Sequence, residues 1–321
     1  MIYWLLGEMM VDWMASSPAA ELRFDGRVAV ITGAGRGLGR SYAVLLASRG
    51  ARVVVNDSGA SLTGSGSDAG PAQQVVDEIL AAGGTAVAST SSVATPEGGQ
   101  EIIDTAVQEF GGVDVVVHNA GTVRRASLSE MTFDDFESVL DVHLRGAFHV
   151  VRPAFPLMKA AGYGRVVLTS SIGGLYGNHD VANYGVAKAG ILGLSNVVAL
   201  EGAEHDVKCN VIVPSAVTRM AEGIDVSAYP PMGPELVAPT VGWLAHESCC
   251  VTGEMLISIA GRVARAAIME SRGVYRPEWT IEEVADSIDR IRDMNEPLEF
   301  PVVPNAHADH IRYSFGMATN G

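Results

Sequence analysis

The feature that most limits what this chain can fold into is the run Thr32-Gly33-Ala34-Gly35-Arg36-Gly37-Leu38-Gly39. It sits between a β-branched stretch, residues 28–32, and a helical pattern over 38–49. Glycines at this spacing let the backbone turn sharply and come close to a ligand. The helix that follows offers free N–H groups and the positive end of its dipole, so a pyrophosphate is the natural guest. Gly33, Gly35, Arg36, Gly37, Leu38 and Gly39 are therefore the first candidates for cofactor contact.

The rest of the chain agrees with that start. Short apolar runs at 28–32, 52–56, 85–89, 113–118, 165–169 and 207–213 alternate with helical patterns at 38–49, 71–82, 96–110 and 181–204. The runs are almost continuously apolar, as expected of parallel strands covered on both faces. Repeated βα units predict an α/β fold: a Rossmann-type, doubly wound parallel sheet of about seven strands. Residues 58–70 read as a flexible Gly/Ser-rich loop. Beyond Gly261 the pattern changes. Residues 262–272 read as helix, 280–294 as a helix opened by a Thr280/Glu283 capping box, and Pro297, Pro301 and Pro304 as breaks. The expected division is an N-terminal extension, 1–22, a catalytic domain, 23–261, and a C-terminal helical extension, 262–321.

Composition excludes some partners. With 22 basic and 37 acidic residues the formal charge is −15, which disfavours nucleic acid and anionic membrane surfaces. Residues 1–14 are apolar but carry Glu8 and Asp12, lack a basic start, and are too short to span a bilayer. Cys209, Cys249 and Cys250 have no framework spacing and read as reduced thiols of a cytoplasmic protein. No CxxC or HExxH spacing occurs, so no metal is expected.

Asp57 lies 24 residues after Gly33, at the end of the second strand-like run. A carboxylate there accepts from ribose hydroxyls and repels a 2′-phosphate, favouring NAD over NADP. Arg36 argues the other way, or is a solvated loop cation. His118-Asn119-Ala120-Gly121 ends the fourth run with small residues that leave room for a ligand at a switch point. Tyr184 and Lys188 are four residues apart on one helix face. A neighbouring ammonium favours the phenolate of a tyrosine, whose ordinary pKa of about 10 is too high for an efficient base. Ser171, thirteen residues before Tyr184, has a hydroxyl suited to holding the substrate oxygen.

Thr32–Gly39, Asn119–Gly121, Ser171, Tyr184 and Lys188 together resemble the motif set of the short-chain dehydrogenase/reductase family, over residues 22–261. The resemblance implies that Tyr184 is the acid/base and that Lys188 binds the nicotinamide ribose and lowers the pKa of Tyr184. Ser171 would stabilise the substrate. The stretches Val53–Asp57, His143–Gly146, Tyr176–Asn178, Ala199–Gly202 and His246–Cys249 look like the (3R)-hydroxyacyl-CoA dehydrogenase branch of that family. That implies oxidation of a (3R)-3-hydroxyacyl-CoA or a hydroxysteroid by NAD, in a homodimer or homotetramer paired through its active-site helices.

There are departures from the family pattern. His143 stands where an asparagine supports a relay water. Ser92-Val93 replaces the Asp-Val that meets the adenine, and Pro214-Ser215 replaces Pro-Gly. Arg219 occupies a threonine position beside the nicotinamide amide, with Thr218 as a substitute. Residues 216–231 are expected to cover a bulky substrate. Two rival readings are an NADPH-dependent 3-oxoacyl reductase and a non-catalytic NAD(H)-binding sensor on the same fold.

Overall fold

The structure, a computed structural model, describes residues 20–61, 63–64, 66–218 and 229–320. Most of the N-terminal extension, Arg219 and much of the 216–231 cover lie outside the described residues.

The strands are β1 (Val28–Thr32), β2 (Arg52–Asn56), β3 (Thr85–Ser89), β4 (Val115–His118), β5 (Gly164–Thr169), β6 (Val207–Ser215), β7 (Met255–Ile259) and β8 (Arg262–Ala266). They form one sheet in the order β3-β2-β1-β4-β5-β6-β7-β8. All neighbours pair in parallel except the antiparallel β7 and β8. Every residue of β1, β4 and β5 is buried, so apolar runs without alternation are what this sheet requires. Helices α1 (Gly37–Ser48) and α2 (Gly70–Ala81) cover one face. Helix α3 (Pro96–Phe110) covers the other.

Between β4 and β5 the chain forms α4 (Phe133–Leu140), a π-turn (Asp141–Arg145) and α5 (Gly146–Ala161). A short α6 (Ile172–Tyr176) and the long α7 (Ala182–Gly202) follow β5. Helix α8 (Ala238–Ala245) precedes β7. Strand order reverses between β1 and β4, and a crevice opens there at the carboxyl ends of the strands.

The C-terminal segment corrects one expectation. Residues 262–272 are not helical: they begin as β8, giving eight strands rather than about seven. Ala260 and Gly261 both take positive φ, 48° and 81°, and Ile259 pairs with Arg262. That is the two-residue hairpin whose twist suits adjoining strands. It returns the chain along the edge of β7 and overrides the helical propensity of Arg-Val-Ala-Arg-Ala. The boundary expected after Gly261 thus falls inside the hairpin. The Thr280/Glu283 capping box is present and opens α9 (Ile281–Asp286), but the helix pauses at Ser287 before α10 (Ile288–Ile291). A final helix, α11 (Ala306–Asn320), begins just after the prolines. Val302 and Val303 pack on the core, and Arg265 pairs with Glu299, tying the segment to the sheet.

Candidate active site

At the cofactor end, the glycine turn is packed too tightly for side chains. A Cβ on Gly33 would stand 2.7 Å from Ala120 Cα, and one on Gly39 would stand 2.2 Å from the carbonyl oxygen of Gly33. Asn119 holds the turn from the neighbouring strand, its Nδ2 donating to the carbonyls of Thr32 and Gly33 at 3.3 and 3.2 Å. Arg36 is the N-cap residue of α1, yet no side chain caps that helix. Its first N–H groups therefore face the cleft with a positive dipole end, a cradle suited to a pyrophosphate.

Asp57 sits where its position after β2 predicts. Its Oδ2 accepts from the Gly35 N–H at 2.9 Å and its Oδ1 from the Gly59 N–H at 2.8 Å. A carboxylate oxygen has lone pairs to spare after one bond, so ribose hydroxyls remain within its capacity. A Cβ at Gly35 would lie 2.8 Å from that Oδ2, which is why the turn needs glycine there.

The chemical end is built on β5, α6 and α7. Tyr184 and Lys188 lie one turn apart, with the Lys188 Nζ 5.7 Å from the Tyr184 ring centroid. Lys188 Nζ donates to the Thr169 carbonyl at 2.6 Å, and burial pulls its pKa down to about 7. Ser170 Oγ donates to the Lys188 carbonyl at 2.7 Å and pins α7 to the strand end. Ser171 caps α6, accepting from the Gly173 N–H at 3.1 Å, and its Oγ and the Tyr184 ring flank Gly173, each 3.6 Å from where a Cβ there would stand. Burial pushes the Tyr184 phenol above its ordinary value, against the opposing pull of the Ser171 hydrogen bond and the Arg125 cation. Burial therefore outweighs both of these pulls.

His143 lies on the π-turn, buried, with its ring edge-on to Tyr184 at 5.2 Å. Its Nε2 is 3.0 Å from the Thr122 nitrogen and 2.8 Å from the Thr122 oxygen, so only Nδ1 is left for any relay. Burial holds the ring neutral.

One cleft of about 540 Å³ is lined by nearly all the candidates. Its lining includes Gly33, Arg36, Gly37, Leu38, Asp57, Ser92 and Val93, and with them Asn119, Ala120, Gly121, His143, Ser171, Tyr184, Lys188, Pro214 and Thr218. Gly35 and Gly39 stand behind the turn and shape it instead. Thr218 lies over the glycine turn, its methyl 3.2 Å from where a Gly37 Cβ would be. Sequence reasoning missed Thr169, Ser170 and Thr122. The run Thr169-Ser170-Ser171 at a strand end was the available signal, but it does not say which hydroxyl faces the cleft.

A dinucleotide crevice facing a Ser–Tyr–Lys centre defines a nicotinamide-dependent oxidoreductase acting on CH–OH groups. The chain belongs to the short-chain dehydrogenase family, whose model matches residues 27–225. It is 46% identical over 298 residues to the peroxisomal multifunctional enzyme type 2 of Drosophila melanogaster, covering 91% of this chain and 49% of that protein. It is 43% identical over 275 residues to a short-chain type dehydrogenase/reductase of Mycobacterium tuberculosis, covering 84% and 95% respectively. The solved full-length Drosophila enzyme superposes with a TM-score of 0.76 at 39% identity, over 93% of this chain and 50% of that one. The chain thus spans about half the length of that multifunctional relative.

Proposed function

We propose that this chain oxidises the secondary alcohol of a (3R)-3-hydroxyacyl-CoA, with a hydroxysteroid as the second substrate class, to the ketone, using NAD. The observation that carries the reading is that Ser171, Tyr184 and Lys188 line the same cleft as an Asp57 seated on the glycine turn.

The glycine cradle and the uncapped start of α1 would hold the pyrophosphate, Asp57 the adenosine ribose, and Lys188 and Asn119 the nicotinamide end. Bound NAD supplies the hydride acceptor and a positive charge that favours a nearby phenolate. Ser171 holds the substrate oxygen by a hydrogen bond. Tyr184 Oη takes the hydroxyl proton as the carbon–hydrogen bond breaks. Lys188, anchored on Thr169, stands beside that phenol, and its ammonium form favours the phenolate. His143 packs the far edge of the ring and fixes its tilt.

The acyl-CoA reading is supported by the likeness of Val53–Asp57, His143–Gly146, Tyr176–Asn178, Ala199–Gly202 and His246–Cys249 to the (3R)-hydroxyacyl-CoA dehydrogenase branch of the family. Phe148 on α5 and Val186 and Val197 on α7 remain about half exposed, which supports pairing of copies through these helices as a homodimer or homotetramer. Three cysteines without framework spacing support a reducing compartment, the cytoplasm. No nucleic acid or membrane partner enters the reading.

The test is calorimetric titration with NAD and NADP, followed by NADH formation on a panel of 3-hydroxyacyl-CoAs and hydroxysteroids. Tighter NAD binding and turnover of a (3R) substrate are expected. Turnover only of 3-oxoacyl substrates with NADPH would reverse the reading.

A further inference from the structure

We propose that Arg124 is a positioning residue: it straps the 58–68 loop across the cofactor cleft and so sets how fast the dinucleotide enters and leaves. The inference rests on the nucleotide reading of the cleft.

Sheet order fixes the path of the strap. β1 lies between β2 and β4, and the glycine turn follows β1. The 58–68 loop leaves the end of β2 and meets the segment that leaves β4, so it spans the carboxyl end of β1, where the turn lies. The far contact is close: a Cβ on Gly64 would stand 3.1 Å from Thr122 Cγ2. Ser58, Gly64 and Ser67 line the same cleft as Gly33, Arg36 and Thr122. A dinucleotide held on the turn therefore comes and goes past the strap.

Both ends of the strap are tied. At its base the Asp68 N–H donates to the Ser58 carbonyl at 3.0 Å, closing an Ω-loop. Gly59, at φ 68°, permits that closure, since a Cβ there would collide with the Asp68 carbonyl oxygen. The Gly59 N–H is the one that bonds Asp57, so the base is seated on the ribose residue. At the tip, the Thr63 carbonyl accepts from Arg124 Nε at 3.0 Å.

Arg124 is itself fixed. Its Nη1 donates to Asp135 Oδ1 at 2.9 Å, and Thr132 Oγ1 donates to the other carboxylate oxygen at 2.8 Å. The buried Asn183, next to Tyr184, donates from Nδ2 to the carbonyls of Arg124 and Asp135, at 3.1 and 3.0 Å. One nitrogen of the guanidinium fork thus reaches the strap and another reaches α4, from a backbone anchored at the start of α7. Among the described residues the strap puts no side chain into the apolar core, so hydrogen bonds hold it. Segments held in this way open locally at small cost, and departure past such a segment limits many enzymes. The tie at the tip is then a large part of what keeps the strap shut.

Two substitutions separate the strap from the scaffold. Arg124→Lys keeps a cation for Asp135 but loses the fork that also reaches Thr63. Arg124→Met loses both partners. Stopped-flow fluorescence with NADH reads association and release. Both rates should rise about tenfold in Arg124→Lys, the weight of one hydrogen bond from a charged group. Kd should move less than either rate, and the melting temperature should stay near wild type. Hydrogen exchange of the nucleotide-free variant should be faster at the Gly64 and Asp68 amides and unchanged in α7. Arg124→Met should show the same rates with a lower melting temperature.

Wild-type NADH rates in Arg124→Lys would overturn the proposal. So would release that rises alone, taking Kd with it, which marks a contact to the cofactor rather than a strap. Rates that change only in Arg124→Met, together with its stability, would mark a merely structural role and overturn it too. If the wild-type chain binds no nucleotide, the cofactor reading fails and the kinetic role falls with it. Unchanged exchange at Gly64 and Asp68 in Arg124→Lys refutes the tie on its own, whatever the nucleotide does.

Discussion

Lys188 donates to the carbonyl of Thr169 at 2.6 Å from a position only 3% exposed to solvent. An ammonium has three donors, and Thr169 takes one. The cation is therefore held where it serves the cofactor end of the cleft and costs the fold stability.

That cost fixes a pH dependence. Burial lowers the folded pKa of Lys188 from 10.5 to about 7. The unfolded chain then binds the extra proton between these values, so stability rises with pH across that window. The penalty is complete below the folded pKa and fades as pH climbs toward the unfolded one. Lys188→Met should abolish activity yet stabilise the fold at pH 6, by up to a few kcal/mol (about 1.4 per pKa unit) less about 1–3 for the abandoned Thr169 carbonyl. Thermal melts from pH 6 to 10 should show the advantage shrinking with pH; a pH-independent difference would refute the buried-charge account.

Asp57 supports two backbone N–H groups as well as the expected ribose contact. Asp57→Ala should weaken NAD binding about tenfold or more, since a hydrogen bond to a charged group contributes about 1.5–3 kcal/mol. It should also narrow the gap to NADP, because Arg36 remains in the cleft without the opposing carboxylate. Calorimetry with both nucleotides checks this, and an unchanged ratio would remove Asp57 as the selector.

Adjacent serines should behave differently. Ser171→Ala removes the hydroxyl that shares the cleft with Tyr184 and should lower kcat by about 10²-fold or more, within the range for acid–base machinery. Ser170→Ala removes the tie to the Lys188 carbonyl and should cost about 1 kcal/mol of stability, with a smaller loss of kcat. Steady-state rates and urea unfolding of the pair separate the two roles.

Gly39→Ala places a methyl 2.2 Å from the Gly33 carbonyl oxygen, a contact with backbone that has nowhere to move. Loss of NAD binding and a destabilisation of about 1–3 kcal/mol are expected, as for overpacked sites. A stable variant with normal NAD affinity would show that the turn is looser than its packing indicates.

How much of this was legible depends on how local each signal is. The strand–turn–helix of Val28–Ser48 and the Tyr184/Lys188 spacing were readable because the residues act within a few positions of one another. Asp57 was readable because a βα unit fixes the distance from Gly33. The π-turn was not, since a one-residue shift in hydrogen bonding leaves no mark on Asp141–Arg145. β8 was missed because Ala-rich sequence has helical propensity, and only the free edge of β7 turns it into strand. Helix α11 was missed because Pro297, Pro301 and Pro304 were read as ending regular structure, when the last of them shortly precedes a new helix. The contrast between Ser170 and Ser171 is tertiary, set by how α7 crosses the end of β5.

The central claim is that Tyr184 transfers the substrate proton in an NAD-dependent oxidation. Its most direct test is NADH formation from (3R)- and (3S)-3-hydroxyacyl-CoA by the wild-type chain and by Tyr184→Phe, with NAD affinity measured on both. The account predicts turnover of the (3R) isomer by the wild type, and a loss of about 10²–10⁴-fold in the variant with NAD binding kept. A variant that still oxidises the (3R) substrate at the wild-type rate would contradict it.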